Sequence, residues 1–219
     1  MAARIDHLET SGTFSLDGET HQVENNVWIV GDAEECVVID PAHDAQAVWE
    51  AVGGRQVLAI LLTHGHDDHI RQAQQFRQLV DAPVLLHPED RMLWDAVFPD
   101  TAPDGAVQDG DTFRVAGIQL EIRHTPGHSP GSVCFYAPAL GEQDEDGRPT
   151  GVVFSGDTLF QGGPGATGRS YSSFDTIIES IRERLLGLPE DTVVHTGHGP
   201  STRIGDESPH LQEWIARGH

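Results

Sequence analysis

The sequence contains no lysine: all 13 basic side chains are arginine, set against 35 acidic ones, for a net charge of -22. A field of that sign repels a phosphate backbone, so nucleic acid is not an expected partner. A solvated surface that favours solubility accounts for most of the acidic load. Cysteine is nearly absent. Cys36 and Cys134 lie in the apolar stretches ECVVID and SVCFYA and form no CxxC or CxxH pattern. They read as small buried hydrophobes, not as a disulfide framework or a redox pair. No apolar run approaches the roughly 18 residues of a membrane span, and MAARIDHLET lacks the apolar stretch of a signal peptide. A soluble, cytoplasmic protein with no membrane partner is expected. There is no GxSxG elbow and no GxxxxGK[ST] loop, which argues against serine-hydrolase and P-loop chemistry.

What is present is a chain of one-domain length, 219 residues. Asp17-Gly18 is a two-residue hairpin signal between stretches that can pair. ECVVID (35–40) and QVLAILLT (56–63) read as buried strands, with a helix over DAQAVWEAVG between them. The apolar spacing of Ile70, Ala73, Phe76 and Leu79 or Val80 predicts one helix over 66–80. A strand at 83–87 and a helix at 88–98 follow, with Pro88 suited to the first turn. DTFRVAG, IQLEIRHT, SVCFYA and GVVFSGD are further strands, and ALGEQDEDGRPTG reads as an exposed acidic hairpin loop. SFDTIIESIRERLLGL is a helix capped by Ser172 or Ser173, DTVVHTG is a last strand, and PHLQEWIARG is a final helix. The order suggests two related halves, each a sheet with helices on one face. A single domain over 1–219 is expected, with its core over about 12–205 and a short C-terminal helix over about 207–217.

The chemistry is concentrated in Thr63-His64-Gly65-His66-Asp67-Asp68-His69, directly after the most apolar strand. Three imidazoles and two carboxylates are costly at a buried strand end unless something binds them. Histidine with carboxylate suits zinc and other borderline first-row ions. In an extended loop His64 and His66 project to one side and can hold one ion. Asp68 and His69 begin the next helix and can turn to a second ion, and Gly65 gives the backbone room. His128 in HTPGHSPGS, Asp157 in VVFSGDTLF and His198 in VVHTGHGPST each sit at a strand-to-loop junction. Together these seven side chains suffice for two ions that each keep an open position. Of the remaining histidines, His124 and His195 are expected nearest the site.

These motifs resemble the metallo-β-lactamase superfamily, and within it the glyoxalase II-like hydrolases, over roughly residues 25–200. The HxHxDH motif is matched by His64, His66, Asp68 and His69, and the later ligands by His128, Asp157 and His198. The resemblance implies an α+β fold, a four-layer αββα sandwich with two sheets face to face and helices outside. It implies His64, His66 and His128 on one metal, Asp68, His69 and His198 on the other, and Asp157 bridging. It also implies that Asp40, ending VVIDPA, supports a ligand histidine from behind, and that Thr63 helps orient the loop. Only 21 residues follow His198, so the C-terminal helical domain that grips glutathione in glyoxalase II is not expected. The bridging aspartate, where cysteine would mark a class B β-lactamase, points away from that activity. The absence of glutamate at His66 points away from the flavodiiron branch. In the Gly-rich stretch after Asp157, Arg169 and Tyr171 are candidates to bind a polar or anionic part of the substrate.

The expected cofactors are two divalent ions, zinc first, with iron or manganese as alternatives. The expected activity is hydrolysis of a thioester or related acyl bond in a small molecule, with no oligomeric state assigned. Paired cations lower the pKa of water so that hydroxide exists near neutral pH and can attack the carbonyl. Asp68 is the candidate catalytic carboxylate that orients it. The alternatives are a mononuclear iron persulfide dioxygenase, using His64 or His66 with His128 and Asp157, or a lactonase or phosphodiesterase on the same site. A purely structural zinc site is disfavoured, because such sites are closed sets of four ligands.

Overall fold

Asp17 and Gly18 take φ values of 54° and 82°, the positive angles of a two-residue hairpin turn. They join β1 (Arg4–Leu16) to β2 (Glu19–Gly31) in antiparallel register from end to end. In this computed structural model, which describes residues 2–143 and 147–218, pairing begins at Arg4. Residues 4–11 hold only Ile5 and Leu8 as large apolar side chains, so this edge strand shows little alternation. β2 pairs with β3 (Glu35–Ile39), and β3, β4 (Gln56–Leu61), β5 (Val84–Leu86) and β6 (Gly105–Ala106) run parallel. The helical segments α1 (Ala45–Val52), α2 (Asp67–Ile70), α3 (Ala73–Val80) and α4 (Arg91–Val97) lie among these strands in sequence.

The second sheet holds β7 (Thr112–Val115), β8 (Ile118–His124), β9 (Val133–Ala137) and β10 (Val152–Gly156). A small hairpin, β11 (Leu159–Phe160) with β12 (Gly163–Pro164), leads to α5 (Phe174–Ser180) and β13 (Val193–Thr196). β14 (Thr202–Arg203), α6 (Ile204–Glu207) and α7 (Leu211–Arg217) complete the chain. The spatial order is β14-β13-β10-β9-β8-β7.

Side-chain alternation then dictates the layers. Val27 and Ile29 of β2, with Cys36 and Val38 of β3, pack with Val48, Phe76 and Trp94 of the first helical layer. Their neighbours Trp28, Val30, Val37 and Ile39 face the other way and meet Leu120, Ile122, Phe135 and Phe154 of the second sheet. On the far side Cys134, Tyr136 and Val153 pack under Ile177, Ile181 and Trp214. Three apolar interfaces separate four layers, which is the expected αββα sandwich. Each fully buried Val, Leu, Ile or Phe side chain contributes roughly 1.5–3 kcal/mol. Both cysteines are buried and free, and burial pushes each thiol up to about 11.

Three expectations change in detail. The single helix over 66–80 is two, α2 and α3, broken at Arg71-Gln72. α2 packs against β1, β2 and α4, whereas α3 packs against β4 and β5, so one straight axis cannot serve both. Ser173, not Ser172, caps α5, accepting the Thr176 N–H. The final helix, α7, starts at Leu211, because Pro209 and His210 belong to a short 3-10 turn, Ser208–His210, that follows α6, an element not expected. Of the acidic loop expected at 139–151, residues 144–146 lie outside the described residues. Gln143 and Pro149 pair across it. Among the described residues no helix is long and apolar enough to cross a membrane.

Candidate metal centre

β3, β4, β8, β10 and β13 all deliver residues at or just beyond their C-terminal ends to one place: Asp40, the 63–69 loop, His128, Asp157 and His198. The rims of the two sheets are tied together there. Val133 N–H donates to Thr63 O at 2.8 Å, Asn26 N–H to Gly197 O at 2.8 Å, and Trp28 Nε1–H to Thr196 O at 3.0 Å. Close approach requires glycine at two points. A Cβ on Gly65 would lie 2.9 Å from Leu93 Cβ, and one on Gly197 would lie 2.2 Å from Asp157 Oδ1.

Two clusters result. His64 Nε2 and His128 Nε2 each lie 3.0 Å from His66 Nδ1. In the second, His198 Nε2 lies 3.3 Å from His69 Nε2 and 3.4 Å from Asp68 Oδ2. Asp157 stands between them, its Oδ2 3.5 Å from His128 Nε2 and 3.3 Å from His198 Nε2, its Oδ1 3.4 Å from His69 Nε2. Both triads can hold an ion.

The outward ring nitrogens are fixed by oxygen partners. His69 Nδ1 meets Asp40 Oδ2 at 2.9 Å, His128 Nδ1 meets Ala166 O at 2.9 Å, and His198 Nδ1 meets Glu24 O at 2.6 Å. Thr63 Oγ1 gives its only proton to Asp40 Oδ2 at 2.5 Å, so it accepts from His64 Nδ1–H at 3.1 Å. Each of these histidines then carries its neutral-form proton outside and turns a lone pair inwards, as metal ligation requires. Asp40, at φ 50°, also accepts the Thr63 N–H at 2.8 Å.

The charges tell the same story. Burial holds the His64 imidazole well below its usual range, and burial with the neighbouring His128 takes His66 to about 3. For His198, burial opposes protonation, but Asp157 and Asp68 outweigh it and raise the ring to about 10. His69 is raised by the same contest with Asp68, Asp157 and Asp40. Asp68 and Asp157 would be pushed up by burial, yet His69 and His198 hold both below the carboxylate range. Buried anions here demand positive charge. Asp157 Oδ1 and His66 Nε2 are buried with no hydrogen-bond partner, and such an orphan costs roughly 1–3 kcal/mol. Orphaned carboxylate oxygen, converging nitrogen lone pairs and an imidazole–carboxylate donor set fit divalent ions.

Two supporting groups were not legible in the sequence. Asp90 is fully buried, where burial raises its carboxyl. It accepts from Gly65 N at 2.7 Å, Gly131 N at 2.6 Å and Ser129 Oγ at 2.7 Å, tying the 63–69 loop to the His128 loop. Asn25 Nδ2 donates to Asp68 Oδ2 at 3.0 Å and is held in turn by His43 Nε2 at 2.7 Å. An acid at a helix start and an asparagine in a strand carry no signal of their own. His124 and His195, expected near the centre, do not line it: His124 stacks on His87 at 4.1 Å and His195 on Trp28 at 4.2 Å.

Above the clusters lies a cavity of about 140 Å³, bounded by Phe14, Val23, His66, Asp68, His128, Asp157, Ala166, Arg169 and His198. Arg169 therefore sits where expected. Tyr171 does not: it is 58% exposed, at φ 69° in an outward turn, and does not line the cavity.

Comparison with known proteins gives the same answer from another direction. The chain is 34% identical over 206 residues to the probable metallo-hydrolase YqgX of Bacillus subtilis, covering 86% of this chain and 93% of that one. It is 32% identical over 200 residues to the hydroxyacylglutathione hydrolase GloC of Haemophilus influenzae, covering 84% and 89%. Among solved structures, the BLEG-1 B3 metallo-β-lactamase superposes with a TM-score of 0.74 at 30% identity, over 94% of this chain and 99% of that one. TTHA1623, in a di-iron-bound form, gives 0.69 at 32% identity over 91% and 96%. The family model of the metallo-β-lactamase superfamily matches residues 22–198, a span that takes in every ligand candidate from His64 to His198. With two histidine–carboxylate clusters at the rim of an αββα sandwich, the chain belongs to the metallo-β-lactamase superfamily.

Proposed function

We propose that this chain is a dinuclear metal-dependent hydrolase acting on a thioester or related acyl bond of a small molecule. The observation that carries the reading is the pair of triads with Asp157 between them, which offers ligands for two ions. His64, His66 and His128 would hold one divalent ion and Asp68, His69 and His198 the other, zinc by preference, and such ions would supply activation of water at neutral pH and polarisation of a carbonyl. Asp40 and Thr63 keep the His69 and His64 rings in their ligating tautomers. Asp68, pinned by Asn25, is the carboxylate that orients the attacking water. Phe14 and Val23 wall the cavity on its apolar side. GloC, a hydroxyacylglutathione hydrolase, supports an acyl-thioester substrate, and the di-iron form of TTHA1623 supports iron as the alternative metal.

The test is elemental analysis of the purified protein, then a panel of acyl-thioesters, lactones and one β-lactam. About two metal ions per chain with thioester turnover is the expected result. One iron per chain, with oxygen uptake on a persulfide, would replace this reading by the dioxygenase.

A further inference from the structure

Arg169 has a buried Nη1 with no hydrogen-bond partner and forms no ion pair among the described residues. In a chain with 35 acidic residues that isolation needs a cause. Asp17 is near enough to feel the Arg169 charge, but its oxygens accept from Ser170 N–H at 2.9 Å and Ser170 Oγ–H at 2.6 Å and form no ion pair with the guanidinium. Those two bonds dock the β1–β2 hairpin tip on the Arg169 turn. The guanidinium is also held from below, 4.8 Å from the centroid of Phe14, whose ring lies 5.2 Å from that of His66. A half-buried guanidinium with its Nη1 unpartnered, preorganised on an aromatic face and lining the metal cavity, is a receptor for a planar anion.

Building on the hydrolase reading, we propose that Arg169, seated on Phe14, is a carboxylate subsite that selects a small acyl substrate carrying a second, anionic group. A void of about 150 Å³ holds a benzene molecule, so the cavity of about 140 Å³, which is partly open to solvent, accommodates a few carbons between the reacting carbonyl and the carboxylate.

The test uses metal-loaded full-length protein and two thioesters that differ by one charge: S-acetyl-3-mercaptopropionate and its methyl ester. Hydrogen bonds to a charged partner contribute roughly 1.5–3 kcal/mol, so wild type should favour the carboxylate by about tenfold or more, mainly in KM. Arg169→Gln should bring the ratio close to one, and Arg169→Lys should restore part of it, with metal content unchanged in both. Equal use of the two thioesters by wild type, or a preference that survives Arg169→Gln, overturns the subsite. A calorimetric titration with succinate separates this from the hydrolase reading. Binding about tenfold weaker in Arg169→Gln upholds the subsite even where neither thioester is cleaved, and the hydrolase reading alone then fails. Equal succinate affinity in the two proteins overturns the subsite.

Discussion

Metal binding should expel protons, and the structure says from which cluster. In the metal-free protein at pH 7 the His69–His198 pair carries an extra proton: against the effect of burial, Asp157 and Asp68 raise His198 to about 10, and Asp68, Asp157 and Asp40 raise His69. His64 and His66 are already neutral, so they release none. Asp68 and Asp157 are ionised. An ion entering the Asp68–His69–His198 cluster needs both inner nitrogens free, because His69 keeps its Nδ1–H on Asp40 and His198 keeps its own on Glu24 O.

The inner Nε2 atoms of His69 and His198 lie 3.3 Å apart, so filling that cluster displaces at least one proton from the pair, and its apparent affinity should rise by at least about tenfold per pH unit around neutrality. The assay is calorimetric titration of chelator-stripped protein with zinc, in buffers of different ionisation enthalpy. The slope of apparent enthalpy against buffer enthalpy counts the protons. His198→Ala should abolish this proton release along with the ion that the cluster holds. A slope near zero for the wild-type protein would mean that His69 and His198 are neutral before the metal arrives, and the electrostatic account would be wrong.

The same groups set the pH profile of the stripped protein. The raised His198 contributes stability that is complete below about 6.5 and is lost as pH climbs through about 10, so Tm by differential scanning fluorimetry should fall over that window without metal. Metal-loaded protein should lack that fall. Asp40→Ala unpairs the Thr63 N–H, the Thr63 hydroxyl and His69 Nδ1, and should cost about 3 kcal/mol in urea unfolding. It should also weaken metal affinity by about 10- to 100-fold in a chelator competition; wild-type affinity would remove Asp40 from the site. Asp90→Ala frees three buried donors on the two ligand loops. It should cost a similar ~3 kcal/mol and lower metal content although Asp90 is no ligand; unchanged metal content would show the loops hold themselves.

The ligand set was legible because its members announce themselves locally. His64 to His69 gather five ionisable side chains directly after an apolar strand, a composition with no cheap alternative use. His128, Asp157 and His198 follow strands whose apolar runs could be read, so strand ends alone brought them to the same rim. The fold was legible for the same reason: β3, β9, β10 and the second half of β2 are buried on both faces, and their apolar runs mark them as inner strands.

The supports were not legible because their meaning depends on distance in sequence. Asp90 answers Gly65 and Gly131, and Glu24 lends only a backbone carbonyl to His198. No residue type at position 24 would have signalled that. The break between α2 and α3 hid behind a continuous apolar stripe, since Ile70, Ala73 and Phe76 are all buried. Arg169 and Tyr171 are two residues apart and looked equivalent. The backbone turn separates them, sending one over Phe14 and the other into solvent. Chemistry that sits on side-chain identity survives in a sequence, while chemistry that sits on where a turn points does not. The metal centre belongs to the first kind and the proposed anion subsite to the second, so the family can be assigned from motif residues while the proposed substrate selection rests on the loop that carries Arg169.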